Sequence, residues 1–145
     1  MKLFGIALLG YSLTANTLPS LADAAERADA AAVQKLIRDG ADANAAQVDG
    51  TTPLHWAVHH DDAAMVAALL RAGAKANAVN RYGVPPLAQA CSNGNPAIVK
   101  LLLDAGADAN GTLKGGETML MVAARAGNVA VVKALLARDA RPEAR

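Results

Sequence analysis

The sequence predicts an all-α fold, a helical solenoid of paired antiparallel helices with hairpin or turn tips projecting from one edge. Three observations predict it. The chain repeats itself every 33 residues without gaps: Thr52-Pro53-Leu54 is answered by Pro85-Pro86-Leu87 and by Thr118-Met119-Leu120. Each period holds two short stretches whose apolar residues fall at helical spacing. The apolar residues, 53% of the chain, are mostly Ala, Leu and Val, with aromatics at only 3%, a composition suited to thin stacked layers in which each unit covers its neighbour.

Within the second unit, Thr52 caps a first helix that starts at Pro53, where the missing N–H costs nothing. Ala57 and Val58 are small enough for neighbouring first helices to approach closely. Asp61 and Asp62 interrupt the run and begin a second helix over Ala63 to Arg71, with Val66, Leu69 and Leu70 on one face. Gly73 then supplies the left-handed residue that ends it. Gly40, Gly73 and Gly106 share that register, as do Asn44, Asn77 and Asn110, and Leu36, Leu69, Leu102 and Leu135. Asp49-Gly50, Tyr82-Gly83 and Gly115-Gly116 suit turns of positive φ at the tips.

The N-terminus stands apart from the repeat. Lys2 precedes an apolar stretch from Leu3 to Leu13, followed by Ser20-Leu21-Ala22 and Ala22-Asp23-Ala24, both with small residues at the spacing signal peptidase reads. The apolar stretch is about half the roughly 20 residues a membrane-spanning helix needs. The expectation is a signal peptide over 1–22, cleaved near Ala22 or Ala24, a repeat domain over 23–145, no membrane span after cleavage, and a periplasmic or secreted location. The units run over 18–46, degenerate and overlapping the cleavage sites, then about 47–79, 80–112 and 113–145.

With 14 basic and 13 acidic residues and a formal charge of +1, the chain carries no electrostatic footprint for nucleic acid. Cys91 is the only cysteine, which rules out an internal disulfide or a multi-cysteine zinc site. It shares a row with Val58 and Ala124 and is expected to be buried and inert. No nucleophile elbow or phosphate-binding glycine loop is present, so no catalytic residue and no cofactor is expected.

The strings DGTTPLHWAVHHDDAAMVAALLRAGAKANA and GADANAAQ resemble ankyrin repeats, whose pattern is a turn, T-P-L-H, two helices, then G-A-D-x-N-A. The resemblance runs from about Leu18 to the C-terminus. It implies an ankyrin-repeat solenoid and a role in binding other proteins, with no single reaction or cofactor. It also implies that His55, the motif histidine, ties adjacent turns together by hydrogen bonds. His55 and His59 lie four apart on one helix with His60 adjacent, a spacing that metal-binding imidazoles use, but no third ligand stands at a usual interval. A metal-binding protein built on His55, His59 and His60 is therefore kept only as an alternative.

Positions that change chemistry from unit to unit point to an unidentified protein partner. At the tips Val48 becomes Arg81 and then Lys114, and Thr51 becomes Val84 and then Glu117. On the first helices His59 becomes Ser92 and then Arg125, and Trp56 becomes Gln89 and then Val122. Trp, Tyr and Arg are frequent interface anchors. The expected partner-binding residues are Trp56, His59, His60, Arg81, Tyr82, Gln89, Lys114, Glu117 and Arg125. In the last unit Asp139 stands where glycine belongs and Glu143 where asparagine belongs, so its hairpin is not expected to form. Val131, Val132, Leu135 and Leu136 keep an internal apolar pattern, and self-association through them is the second alternative.

Overall fold

The computed structural model describes residues 18–143. The charged and apolar start of the proposed signal peptide, Lys2 and Leu3 to Leu13, lies outside them. Eight helices follow in pairs among the described residues: α1 (Leu21–Glu26) and α2 (Ala30–Arg38), α3 (Pro53–His59) and α4 (Ala63–Arg71), α5 (Pro86–Asn93) and α6 (Pro96–Asp104), α7 (Met119–Ala126) and α8 (Val129–Leu136). Each first helix packs on the second helix of its own pair and on the first helices of the adjacent pairs. The second helices form another layer behind them.

The helix starts follow the capping chemistry of the sequence. Thr52 Oγ1 accepts from the His55 N–H, with Pro53 in the first helical turn, whereas Pro85 leaves α5 without a side-chain cap. Asp62, Asn95 and Asn128 cap the second helices α4, α6 and α8. The first unit differs by one residue. Ser20, in the place of Pro53, is itself the cap: Asp23 N–H donates to Ser20 Oγ and Ser20 N–H to Asp23 Oδ2, so α1 begins at Leu21.

The core is continuous across the units. Leu54, Leu87, Ala57, Ala90, Ala123, Val66, Val99, Leu69, Leu102 and Leu135 are all buried. The small alanines are what allow consecutive first helices to lie close, and Leu69, Leu102 and Leu135 are fully buried in the second layer. Val132 is only half-buried and Ala124 is exposed, in contrast to the fully buried Cys91 and Val58 of the same row as Ala124.

A polar ladder runs beside this core. Asn44 Nδ2 donates to Gly73 O (2.9 Å) while its Oδ1 accepts from Lys75 N–H (2.7 Å). Asn77 repeats the pattern on Gly106 O (2.9 Å) and Asp108 N–H (2.8 Å). Asn110 repeats it on Asp139 O (3.1 Å) and Arg141 N–H (2.8 Å). The turn that ends α8 therefore forms as its counterparts do in the earlier units. Asp139 takes φ 58, one of the few side chains tolerated there, and Ala140 N–H reaches Leu135 O as Ala107 reaches Leu102. No extended hairpin is seen at any tip: the described residues hold a single isolated antiparallel bridge, Thr112 to Thr118, and the tips are turns.

Candidate functional site

Three loops project from the first-helix side. They are closed by Gln47 N–H to Thr51 O (2.9 Å), Asn80 N–H to Val84 O (3.3 Å) and Leu113 N–H to Glu117 O (2.9 Å). Successive loops are tied together: Arg81 N–H donates to Asp49 O (2.8 Å) and Lys114 Nζ to Arg81 O (3.0 Å). Val48, Arg81, Tyr82 and Lys114 are exposed along this edge. Arg81 lies over the Tyr82 ring, 5.3 Å from its centroid, and its guanidinium donates to the Tyr82 hydroxyl (3.3 Å). Lys114 passes its stem against Gly83, where a Cβ would meet it at 3.2 Å. Glu117 pairs with Arg125, so the fourth-unit tip and α7 are joined.

On the first helices, His59, Ser92 and Arg125 are exposed at equivalent places of α3, α5 and α7. Gln89 and His59 meet at 3.3 Å through Nε2 and Nδ1. Trp56 and exposed His60 also contact the first unit. Half-buried Trp56 donates from Nε1 to Gln47 Oε1 (2.9 Å), and Gln47 Nε2 donates onward to Asp23 Oδ1 (3.0 Å) and Glu26 Oε2 (2.8 Å). His60 Nε2 contacts Glu26 O at 2.8 Å and its ring stacks on Trp56, with centroids 6.3 Å apart. These side chains bind the first unit to the second, which limits what they offer a partner. Hydrogen bonds from Gln47 and Ser20 hold the Asp23 carboxyl below its ordinary value.

Gln47 is the residue sequence reasoning missed. The signal was available: Asp23 and Trp56 are one period apart, so they share a row, and Gln47 sits at the tip beside it. A side chain with both an amide donor and an acceptor can join the indole to the carboxylates.

His55 lies beneath this surface, 3% exposed. Its Nδ1 accepts from Thr52 N–H (3.1 Å) and contacts Thr52 Oγ1 (2.8 Å). With Nδ1 an acceptor, the proton sits on Nε2, which donates to Val84 O (2.9 Å) in the next unit. Burial is the main reason its pKa lies below the ordinary 6.5. The motif histidine thus ties one turn to the next through neutral imidazole. The family model for ankyrin repeats (3 copies) matches residues 21–112 and 73–145. The chain belongs to the ankyrin-repeat family.

Ankyrin repeats are in general protein–protein interaction modules, a non-catalytic fold. A search of the curated proteins found no match for this chain. Within the array, both ring nitrogens of His55 are engaged, which removes it from a metal-ligand set with His59 and His60. Among the described residues no group of three His, Cys, Asp or Glu side chains is placed to hold a metal ion. Cys91 is fully buried, and burial pushes its thiol up to about 12. No helix of the described residues is long and apolar enough to cross a membrane.

The C-terminal face corrects two of the four residues expected there. Val131 and Leu135 are fully buried, because they point back into the third unit of the ankyrin array. Leu136, Met121 and Val129 are the exposed apolar side chains at that end, with Val132 half-buried. Leu136 and Met121 are exposed where their third-unit equivalents, Leu103 and Ala88, are buried, whereas Val129 answers to Pro96, which is itself exposed.

Proposed function

We propose that this chain is a non-catalytic interaction module that holds a partner protein across its turn tips and the concave face of its first helices. One observation carries the reading. Rows packed between units keep their chemistry, while exposed rows facing one side change it from unit to unit: Val48, Arg81 and Lys114 at the tips, His59, Ser92 and Arg125 on the helices. A surface varied on an invariant frame is how one repeat architecture specifies different partners. Groove contacts centre on His59, Gln89, Ser92 and Arg125, and tip contacts on Arg81, Tyr82, Lys114 and Glu117. Trp56 and His60 act chiefly by fixing the first unit against the second.

The location in this reading is periplasmic or secreted, supported by Lys2, the apolar Leu3 to Leu13 and the small residues that follow. Ala22 and Ala24 lie inside α1 and are buried, so cleavage near either must precede folding of the first unit. Intact mass of protein recovered from an envelope extract tests this; a full-length mass found only in the cytosol refutes it.

The binding reading is tested by affinity capture with the purified array as bait. The parent should retain a partner that His59→Glu and Ser92→Arg variants, equally helical by circular dichroism, fail to retain. Equal capture by all three refutes a groove role. A second reading rests on the exposure of Leu136, Met121 and Val129: two copies associate through their C-terminal faces. Sedimentation that shows a dimer abolished by Leu136→Asp supports it, and a monomer at every concentration removes it.

A further inference from the structure

We infer that the edge formed by the second-, third- and fourth-unit tips takes an extended, acidic protein segment. The inference rests on the partner-binding reading above and names the chemistry of the partner. Arg81 and Lys114 occupy the same place in successive units, and each is held by its surroundings. Arg81 is laid over Tyr82, and Lys114 is fixed by its bond to Arg81 O and its stem on Gly83.

Neither cation forms an ion pair among the described residues, and the two acids nearest them along the edge are already occupied. Asp49 accepts from Thr51 N–H (2.9 Å) and Thr51 Oγ1 (2.8 Å); these bonds, with a smaller contribution from the Arg81 charge nearby, hold its carboxyl below the ordinary value. Glu117 is paired with Arg125. Val48, fully exposed, and Tyr82, 58% exposed, add apolar contact beside the cations. Lys114 Nζ reaches back to the Arg81 carbonyl (3.0 Å), so the two cations share one stretch of the edge. Two cations on a chain of formal charge +1 are too few to hold nucleic acid.

The test uses two synthetic capped peptides of Ala, Ser and Leu, one with glutamates at the first and fourth positions and one with lysines there, titrated into the isotope-labelled full chain. Saturable amide shifts at Arg81, Tyr82 and Lys114 are expected for the glutamate peptide only, weakening at high ionic strength. Arg81→Ala and Lys114→Ala should each weaken binding about two- to fivefold. Arg81→Glu combined with Lys114→Glu should reverse the preference to the lysine peptide. The inference is overturned if the peptides bind alike or not at all. It is also overturned if the substitutions change nothing, or if a phosphatidylglycerol vesicle binds through Arg81 and Lys114 and the peptide does not. Should the peptide fail while Ser92→Arg still releases a captured partner, the tip chemistry falls and the groove reading stands.

Discussion

Replacing Asn77 with alanine isolates the polar ladder from the apolar core. The side chain donates to Gly106 O at 2.9 Å and accepts from Asp108 N–H at 2.8 Å, joining the loop after α4 to the loop after α6. Each such bond contributes about 0.5–1.5 kcal/mol net. Gly106 and Asp108 are exposed, so the freed backbone groups turn to water and escape the larger cost of burial without a partner. The expected loss is therefore about 1–2 kcal/mol, or about 3–8 °C in Tm for a chain of this size. Urea unfolding followed by far-ultraviolet circular dichroism measures it, with the midpoint lowered and m unchanged. Asn44→Ala removes an equivalent pair of bonds and should cost a similar amount. Asn110→Ala releases only the loop at Asp139 and Arg141, which can fray without opening an internal joint, and should cost less. A change at Asn77 within measurement error, or a larger loss at Asn110 than at Asn77, refutes the reasoning.

His55 makes stability depend on pH. Its folded pKa lies below 6.5, so the unfolded chain binds more protons once the pH drops past that value. Unfolding free energy should be flat above about 6.5 and fall below it. Urea melts from about pH 8 to about pH 5 should show this slope, and His55→Gln should remove its His55 component. That range lies above the one in which Asp23, Asp49 and Asp104, all held below 3.8, take up protons. Cys91, buried with its thiol pushed up to about 12, should resist iodoacetamide in the folded chain and react at the rate of unfolding; prompt alkylation under native conditions would contradict its burial. Ala28 holds φ 55, where Gly94 and Gly127 stand in later units. Ala28→Gly should thus stabilise by about 0.5–1 kcal/mol, seen as a higher Tm, and a lower one counts against a strained turn.

The 33-residue register carried the helices, the capping threonine and the asparagine ladder's positions, because one interaction repeated at a fixed interval leaves the same residue type at that interval. It did not carry the fate of Trp56 and His60. Both stand at varying, outward positions, a pattern that the sequence alone shares with residues free to meet a partner. Both also engage the first unit, whose first helix has only six residues: Trp56 reaches Asp23 and Glu26 through Gln47, and His60 contacts Glu26 O directly. Asp139 stands where the other units have a glycine. Glycine is the easiest residue at φ near 58, but the requirement belongs to the backbone, and Asn110 on one side with Ala140 buried on the other holds an aspartate there.

The same distinction sorts the expected partner-binding residues. A variable residue whose polar groups are all taken up by a neighbouring unit contributes to the frame, and only those with donors or acceptors still open can select a partner. His59 touches Gln89 at a long 3.3 Å, Ser92 is exposed, and Arg81 and Lys114 have no carboxylate partner among the described residues. Arg125 is the intermediate case, paired with Glu117 at the surface, where such a bond is worth about 0–1 kcal/mol and can be exchanged for one to a ligand. Specificity should therefore concentrate in the second, third and fourth units, on the side away from α1, while the first unit serves as the cap that keeps α3 in place.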